Sequence, residues 1–128
     1  MSARSGHIML DENVDYQDLY RIYEEIYRTF IEETRQMPEE EEQYIATLHI
    51  NLMDLKHNRK PEGINRMGDI KLIFPIKADK GIEMCIYSTT KNNSVVDVTN
   101  KISDIMKKYN IGHRVEWNRM RVSSRDEK

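Results

Sequence analysis

Cysteine is nearly absent from this sequence of 128 residues, in which Cys85 is the single example. One cysteine excludes an internal disulfide and a metal site built on paired cysteines, and it favours a reducing compartment. Cys85 lies on a predicted strand beside an acidic residue, which does not activate a thiol, so we interpret it as an inert, half-buried side chain. No segment reaches the roughly 18 unbroken apolar residues of a membrane span. Residues 1–6 are polar with no apolar run behind them, so the sequence predicts no signal peptide and a cytoplasmic protein.

Signatures of catalysis are also missing. The chain has no glycine-rich phosphate loop and no nucleophile elbow. Of its four histidines, His49 and His113 lie on predicted strands. His7 and His57 lie in predicted loops, where a solvated imidazole is the simplest interpretation. An enzyme would require His49 or His113 to meet a carboxylate in a pocket. We therefore predict no catalytic residue, no metal ligand and no cofactor.

Charge is abundant but unevenly distributed. Charged residues make up 33% of the chain, yet the net charge is only −2. Residues 1–55 carry four basic against 13 acidic residues, a net charge of −9, and residues 56–128 carry 16 basic against nine acidic residues, a net charge of +7. Such an asymmetry can mark a surface for nucleic acid or an acidic partner. The sequence favours the alternative, in which the acidic half packs against the basic half and the two fields partly cancel.

Residues 14–36 carry the strongest local pattern, an amphipathic helix. Four tyrosines, spaced four, three and four residues apart, form one stripe flanked by aliphatic side chains, and charged residues occupy the other side. Such a stripe is usually core. Its apolar face is nevertheless wide for packing on one small sheet, so we also expect it to contact a second subunit. The residues of this predicted interface are Tyr16, Tyr20, Tyr23, Tyr27 and Ile31.

Two segments near the first helix are harder to interpret. Residues 1–13 read as a loose leader. Pro38 followed by four glutamates is a helix-start signal, and the apolar residues behind it repeat at helical spacing. The same residues also alternate, and a strand would bury Ile50 whereas a helix would leave it exposed. Between these alternatives the sequence favours a strand over residues 44–55, with a helix as the second interpretation.

The second half of the chain gives clearer patterns. Alternating apolar residues predict a hairpin of residues 69–77 and 82–90 around a turn that ends at Gly81. Pro75 cannot donate to a ladder, so the first of these is an edge strand or carries a bulge there. A helix is expected over residues 94–109, a last strand over 111–122 and a frayed tail over 123–128.

Together these elements predict one α+β domain over residues 1–128. Their order is α-β-β-β-α-β. We expect an antiparallel-rich four-stranded sheet packed by the long N-terminal helix and the second helix.

Basic side chains supply the best candidate for a binding site. They follow residue 55 in a polar loop and recur around the last strand, where they could bind phosphates. The function that we predict is a non-catalytic module that binds nucleic acid or another polyanion. The alternative is an oligomeric adaptor or inhibitor that acts on another protein through the tyrosine helix. The predicted polyanion site comprises Lys56, His57, Arg59, Lys60, Arg66, His113, Arg114, Arg119 and Arg121.

Overall fold

The computed structural model describes residues 3–64, 68–77 and 81–118. In this part of the chain four strands form an antiparallel sheet in the order β2-β3-β1-β4. The α+β class and the four-stranded antiparallel sheet predicted from the sequence are confirmed. None of the described helices combines the length and apolar character that a membrane crossing requires. The strands are β1 (Ala3–Leu10), β2 (Ile70–Ile73), β3 (Glu83–Asn92) and β4 (His113–Trp117); the helices are α1 (Tyr20–Thr34, after a 3₁₀ turn at Tyr16–Leu19), α2 (Glu41–Lys56) and α3 (Asn93–Lys108).

The helices lie on one side of this sheet. If α2 is set aside, the elements follow the order β-α-β-β-α-β, the split β-α-β arrangement of ferredoxin-like folds. α3 packs on β1, β3 and β4, α1 packs beside it, and α2 lies on α1 and the 3₁₀ turn. α3 approaches β1 so closely that a Cβ at Gly6 would meet Thr99. The face of the sheet that carries Gly6 is therefore the helix face.

The prediction of a loose leader at residues 1–13 is wrong. Residues 3–10 form β1, which pairs with β3 on one side and with β4 on the other. Ile8 and Leu10 point into the core, and the alternate residues His7 and Met9 are also buried. A strand that is buried on both faces shows no alternation of apolar and polar residues, so local periodicity does not reveal it.

The strand favoured for residues 44–55 is also wrong, because the chain forms α2 there. Leu48, Asn51 and Leu55 are buried at helical spacing, whereas Ile50 is 53% exposed, as the helical alternative required. α2 begins at Glu41, three residues after Pro38, and the acidic first turn of Glu41 and Glu42 suits the positive end of the helix. Four strands are present because β1, rather than residues 44–55, supplies the fourth.

The remaining elements follow the predictions with shorter bounds. β2 is an edge strand, as Pro75 indicated, and it pairs with β3. The helix predicted over 14–36 ends at Thr34, because Arg35 adopts a left-handed conformation with φ 57°. The helix predicted over 94–109 is α3, and β4 covers the first part of the predicted strand 111–122. Residues 78–80 of the predicted turn, residues 119–122 and the tail lie outside the described residues.

Candidate functional site

The described residues do not bring the predicted polyanion site together in one place. Lys56 to Lys60 end α2 and lead towards β2, at one edge of the sheet, whereas His113 and Arg114 begin β4 at the opposite edge. Three strand spacings, roughly 14 Å in total, separate the two edges. Arg66, Arg119 and Arg121 lie outside the described residues.

Most described members of this set already have partners within the chain. The guanidinium of Arg59 lies 3.1 Å from the Asp54 carboxylate, and Arg114 Nε lies 2.8 Å from that of Glu116. His57 Nδ1 lies 2.9 Å from the carbonyl oxygen of Met53. A shared polyanion surface therefore stays a prediction without geometric support among the described residues.

His113, a member of the predicted polyanion site, forms hydrogen bonds within the chain on the helix side of the sheet. Its Nδ1 lies 2.8 Å from the Ile111 carbonyl oxygen, and its Nε2 lies 2.6 Å from Ser103 Oγ on α3. The imidazole therefore points to the helix side and ties β4 to α3. His49 is exposed on α2. Neither histidine has a carboxylate among its hydrogen-bond partners in the described chain.

The tyrosine stripe is core rather than interface at three of its five positions. Tyr23, Tyr27 and Ile31 are fully buried within the chain, so they cannot contact a second subunit. The Tyr23 ring packs near Phe74, and α2 covers Tyr27, whose ring packs edge-on to that of Tyr44. The width of the apolar face is thus explained by α2, which packs on α1 as well. Tyr20 remains exposed, and Tyr16 is half-buried.

We expect loss of the hydroxyl group to change the stability of the fold differently at the two buried tyrosines, Tyr23 and Tyr27. Tyr27 Oη donates a hydrogen bond to the Tyr44 carbonyl oxygen at 3.2 Å, whereas Tyr23 Oη has no partner among the described residues. Burial raises the pKa of both phenols, which therefore stay neutral. We expect Tyr27→Phe to lower the free energy of unfolding by about 0.5–1.5 kcal/mol and Tyr23→Phe to leave it unchanged or raise it. Urea denaturation at one protein concentration measures both; equal losses would contradict the assignment.

α2 leaves an unusual outward face. No charged residue occurs between Gln43 and Met53, although a third of the chain is charged. α1 and α3 carry charged residues on their outer sides, as surface helices do. In α2, by contrast, Ile45 and Ile50 are each 53% exposed. Exposed apolar side chains on an uncharged helix surface are typical of a contact with another protein, so this face is suited to contact with a protein surface.

A small groove lies between α1, α2 and residues 62–64. Asn51 holds its walls together, because its side chain donates to the Gly63 carbonyl oxygen at 3.1 Å and accepts from the Gly63 amide at 2.9 Å. The groove encloses about 170 Å³. Pockets for small molecules usually exceed about 300 Å³, so we do not interpret this groove as a cofactor site.

Another candidate site lies on the face of the sheet away from the helices, where β1 and β3 place several polar residues side by side. Ser5, His7 and Met9 of β1 lie opposite Tyr87, Cys85 and Glu83 of β3, respectively. RNA-binding sheets of similar topology present aromatic side chains on their central strands. Here the two central strands offer one aromatic residue among these six, together with an acid. The composition of this face therefore does not favour nucleic-acid binding.

His7 is the centre of this group. Its Nδ1 contacts the Glu83 carboxylate, and its Nε2 lies 2.9 Å from Ser5 Oγ. The ligand atoms of His7, Glu83 and Cys85 all lie within 4.8 Å of one another. His7 is 4% exposed and Cys85 1%. The interpretation of His7 as a solvated loop residue is wrong, because β1 places it in the middle of the sheet.

The chemistry of Cys85 follows from its burial. Burial, and then the charge of Glu83, raise the pKa of the thiol to about 12. The thiol is therefore protonated at neutral pH and is not a nucleophile in this environment. Ser5 Oγ, His7 and Glu83 follow the order of a hydrolase triad, but Ser5 is 0% exposed, which closes it to a substrate.

Sequence reasoning missed this cluster because it depended on β1. Ser5, His7 and Met9 share a face only if residues 3–10 are a strand, and their proximity to residues 83–87 requires β1 to pair with β3. The available signal was the parity of the residues on each strand: Glu83, Cys85 and Tyr87 alternate with apolar residues on the predicted hairpin.

The chain was also compared with known proteins. No family model, curated protein or solved structure matches it.

Proposed function

We propose that this protein is a non-catalytic binding module that acts as a homodimer, assembled through the outward face of α2. The observation that carries the proposal is the exposed, uncharged central part of this helix. It replaces the tyrosine stripe as the surface for protein contact, because that stripe is largely used inside the chain. Of the two functions that the sequence suggested, the proposal follows the oligomeric protein-interaction module rather than the polyanion-binding module.

Along the outward face of α2, the order of residue types is complementary to the same order read in the opposite direction. Residues spaced three, four, four and three apart lie along one side of the helix. The order along this stripe is acid, apolar, histidine, apolar, base. Four of its members are exposed and Met53 is half-buried. We call these residues the α2 stripe: Glu42, Ile45, His49, Met53 and Lys56.

An antiparallel pair of α2 helices therefore brings complementary groups together. With the two-fold axis at His49, Ile45 of one copy lies opposite Met53 of the other, since both are four residues from the axis. Glu42 lies opposite Lys56, since both are seven residues away. A two-fold axis repeats each contact, which gives two apolar contacts and two ion pairs. Sixteen residues span about 24 Å, enough for a continuous helix-helix contact.

The charge split of the chain is consistent with this arrangement. Four exposed glutamates, residues 39–42, precede or begin α2, Lys56 is its last residue, and Arg59 and Lys60 follow it. In an antiparallel pair each acidic cluster approaches the basic cluster of the other copy. The cations that the sequence suggested for a polyanion then lie near carboxylates, so polyanion binding competes with assembly.

Sedimentation equilibrium tests the proposal. We expect the wild type to have about twice the chain mass of 15.3 kDa, and Ile45→Glu to weaken the dimer at least about tenfold, because it buries a charge against Met53. Ile76→Glu is the matched control, since Ile76 is 87% exposed and lies outside α2. A monomeric wild type at high micromolar concentration would overturn the proposal. Dissociation by Tyr20→Glu but not by Ile45→Glu would move the interface to α1.

A further inference from the structure

We propose that His7, Glu83 and Cys85 form a binding site for one divalent transition-metal ion, best matched to Zn²⁺, on the face of the sheet away from the helices. This site is independent of the α2 dimer. It rests on three donors of different chemistry that two neighbouring central strands hold together.

The pairing of β1 with β3 fixes the three donors. His7 and Cys85 are direct cross-strand partners, and Glu83 is two residues before Cys85 on the same face. Directly opposed residues have Cβ atoms about 5 Å apart, and diagonal ones remain within reach of long side chains. The donors therefore come from the most constrained part of the sheet and need no loop to close around the ion.

The distances suit a tetrahedral ion after small rotamer changes. Zinc binds nitrogen and oxygen at about 2.0–2.2 Å and sulfur at about 2.3 Å, so neighbouring ligands lie roughly 3.4–3.8 Å apart. The three donor atoms already lie within 4.8 Å of one another. His7 Nδ1 and the Glu83 carboxylate are closer to each other than two zinc ligands would be, and they would separate as the ion enters between them.

The donor set selects the class of metal. Imidazole, carboxylate and thiolate together match the borderline softness of Zn²⁺, whereas Mg²⁺ and Ca²⁺ prefer oxygen ligands alone. Three protein ligands leave the fourth position of a tetrahedron to water. On binding, the ion replaces the thiol proton of Cys85, which leaves to solvent.

Ser5 and Lys77 are described residues that contact two of the donors. Ser5 Oγ, 2.9 Å from His7 Nε2, can accept the proton of that nitrogen when Nδ1 ligates the ion. Such a hydrogen bond orients a metal-binding imidazole. Lys77 Nζ lies 3.9 Å from Glu83 Oε1. That contact leaves Oε2 directed towards His7.

Cobalt spectroscopy on the full-length protein tests the site. Because Cys85 is the only cysteine, a sulfur-to-cobalt charge-transfer band assigns the thiolate ligand without ambiguity. We expect one Co²⁺ per chain with this band, displacement by Zn²⁺, and a melting temperature raised by several degrees in excess Zn²⁺. The band should disappear in Cys85→Ser, and Co²⁺ affinity should fall by more than about 100-fold in His7→Gln. Ser5→Ala should lower it about 10–100-fold.

His57→Ala is the control, since it removes an exposed imidazole elsewhere and should leave Co²⁺ binding unchanged. Near-ultraviolet circular dichroism of metal-free Cys85→Ser and His7→Gln verifies their folding. If either is unfolded, Glu83→Gln provides the test in its place. Binding that lacks the charge-transfer band, or that survives Cys85→Ser unchanged, would overturn the proposal and assign the metal to surface histidines. Absence of Co²⁺ and Zn²⁺ binding to the folded wild type would overturn it as well.

Discussion

Glu42→Lys and Lys56→Glu should each convert the protein to a monomer, and an equimolar mixture of the two variants should be dimeric. In an antiparallel α2 pair, Glu42→Lys places two lysines opposite each other at both ends of the contact, and Lys56→Glu does the same with two glutamates. Juxtaposed like charges across an interface cost several kcal/mol, which corresponds to a dimer weakened about 100-fold or more. In the mixture each new lysine meets a new glutamate.

The single variants distinguish this geometry from a parallel pair of α2 helices. A parallel pair would place position 42 opposite position 42 and position 56 opposite position 56, so either exchange would only replace one pair of like charges with another and leave the dimer about as stable as the wild type. Size-exclusion chromatography with light scattering on each variant and on the mixture measures the result. Glu24→Lys, an equal charge change at an exposed position of α1, is the control and should remain dimeric.

Two results would count against the antiparallel contact. Variants that stay dimeric at low salt would place the interface elsewhere or make the α2 pair parallel, and a mixture that stays monomeric would exclude the pairing of position 42 with position 56. High salt should reduce the difference between the variants, because the charges involved are exposed.

Gly6→Ala should lower the free energy of unfolding by about 1–3 kcal/mol, the second large effect that we expect. A Cβ on residue 6 would overlap Thr99 Oγ1 and would lie 2.8 Å from Thr99 Cγ2 and 2.9 Å from Thr99 Cβ. Both residues lie where α3 crosses the centre of the sheet, so neither backbone can move without disturbing the core. Urea denaturation at one protein concentration measures the loss.

A double variant tests the physical reason. Thr99→Ala removes two of the three contacting atoms, and Thr99 Oγ1 has no hydrogen-bond partner among the described residues. Gly6→Ala combined with Thr99→Ala should therefore be more stable than the sum of the single effects. Gly112→Ala is the control, since its Cβ would meet only the end of the exposed Asp11 side chain, which can rotate away. Strict additivity at positions 6 and 99 would show that the loss has another cause.

The errors in the sequence interpretation came from two elements with ambiguous local patterns. Residues 44–55 satisfy both the helical and the alternating spacing, because α2 is apolar on most of its circumference. Residues 3–10 satisfy neither, because β1 is buried on both faces. The same ambiguity concealed the candidate surfaces: the α2 stripe exists only on a helix, and the group of His7, Glu83 and Cys85 exists only if residues 3–10 form a strand.

The sequence alone determined α1, α3, the pairing of β2 with β3 and the start of β4. The helices and β4 have one buried and one solvated side, which produces a regular pattern of apolar residues. β2 and β3 pair because a short connection joins them. Tertiary structure decided the rest. It inserted β1 between β3 and β4, packed α2 on α1 so that the tyrosines became core, and brought His7 to Glu83 across 76 residues of chain. Contacts between distant segments depend on the order of strands in the sheet and on which faces are covered, and no local spacing of residues encodes that order.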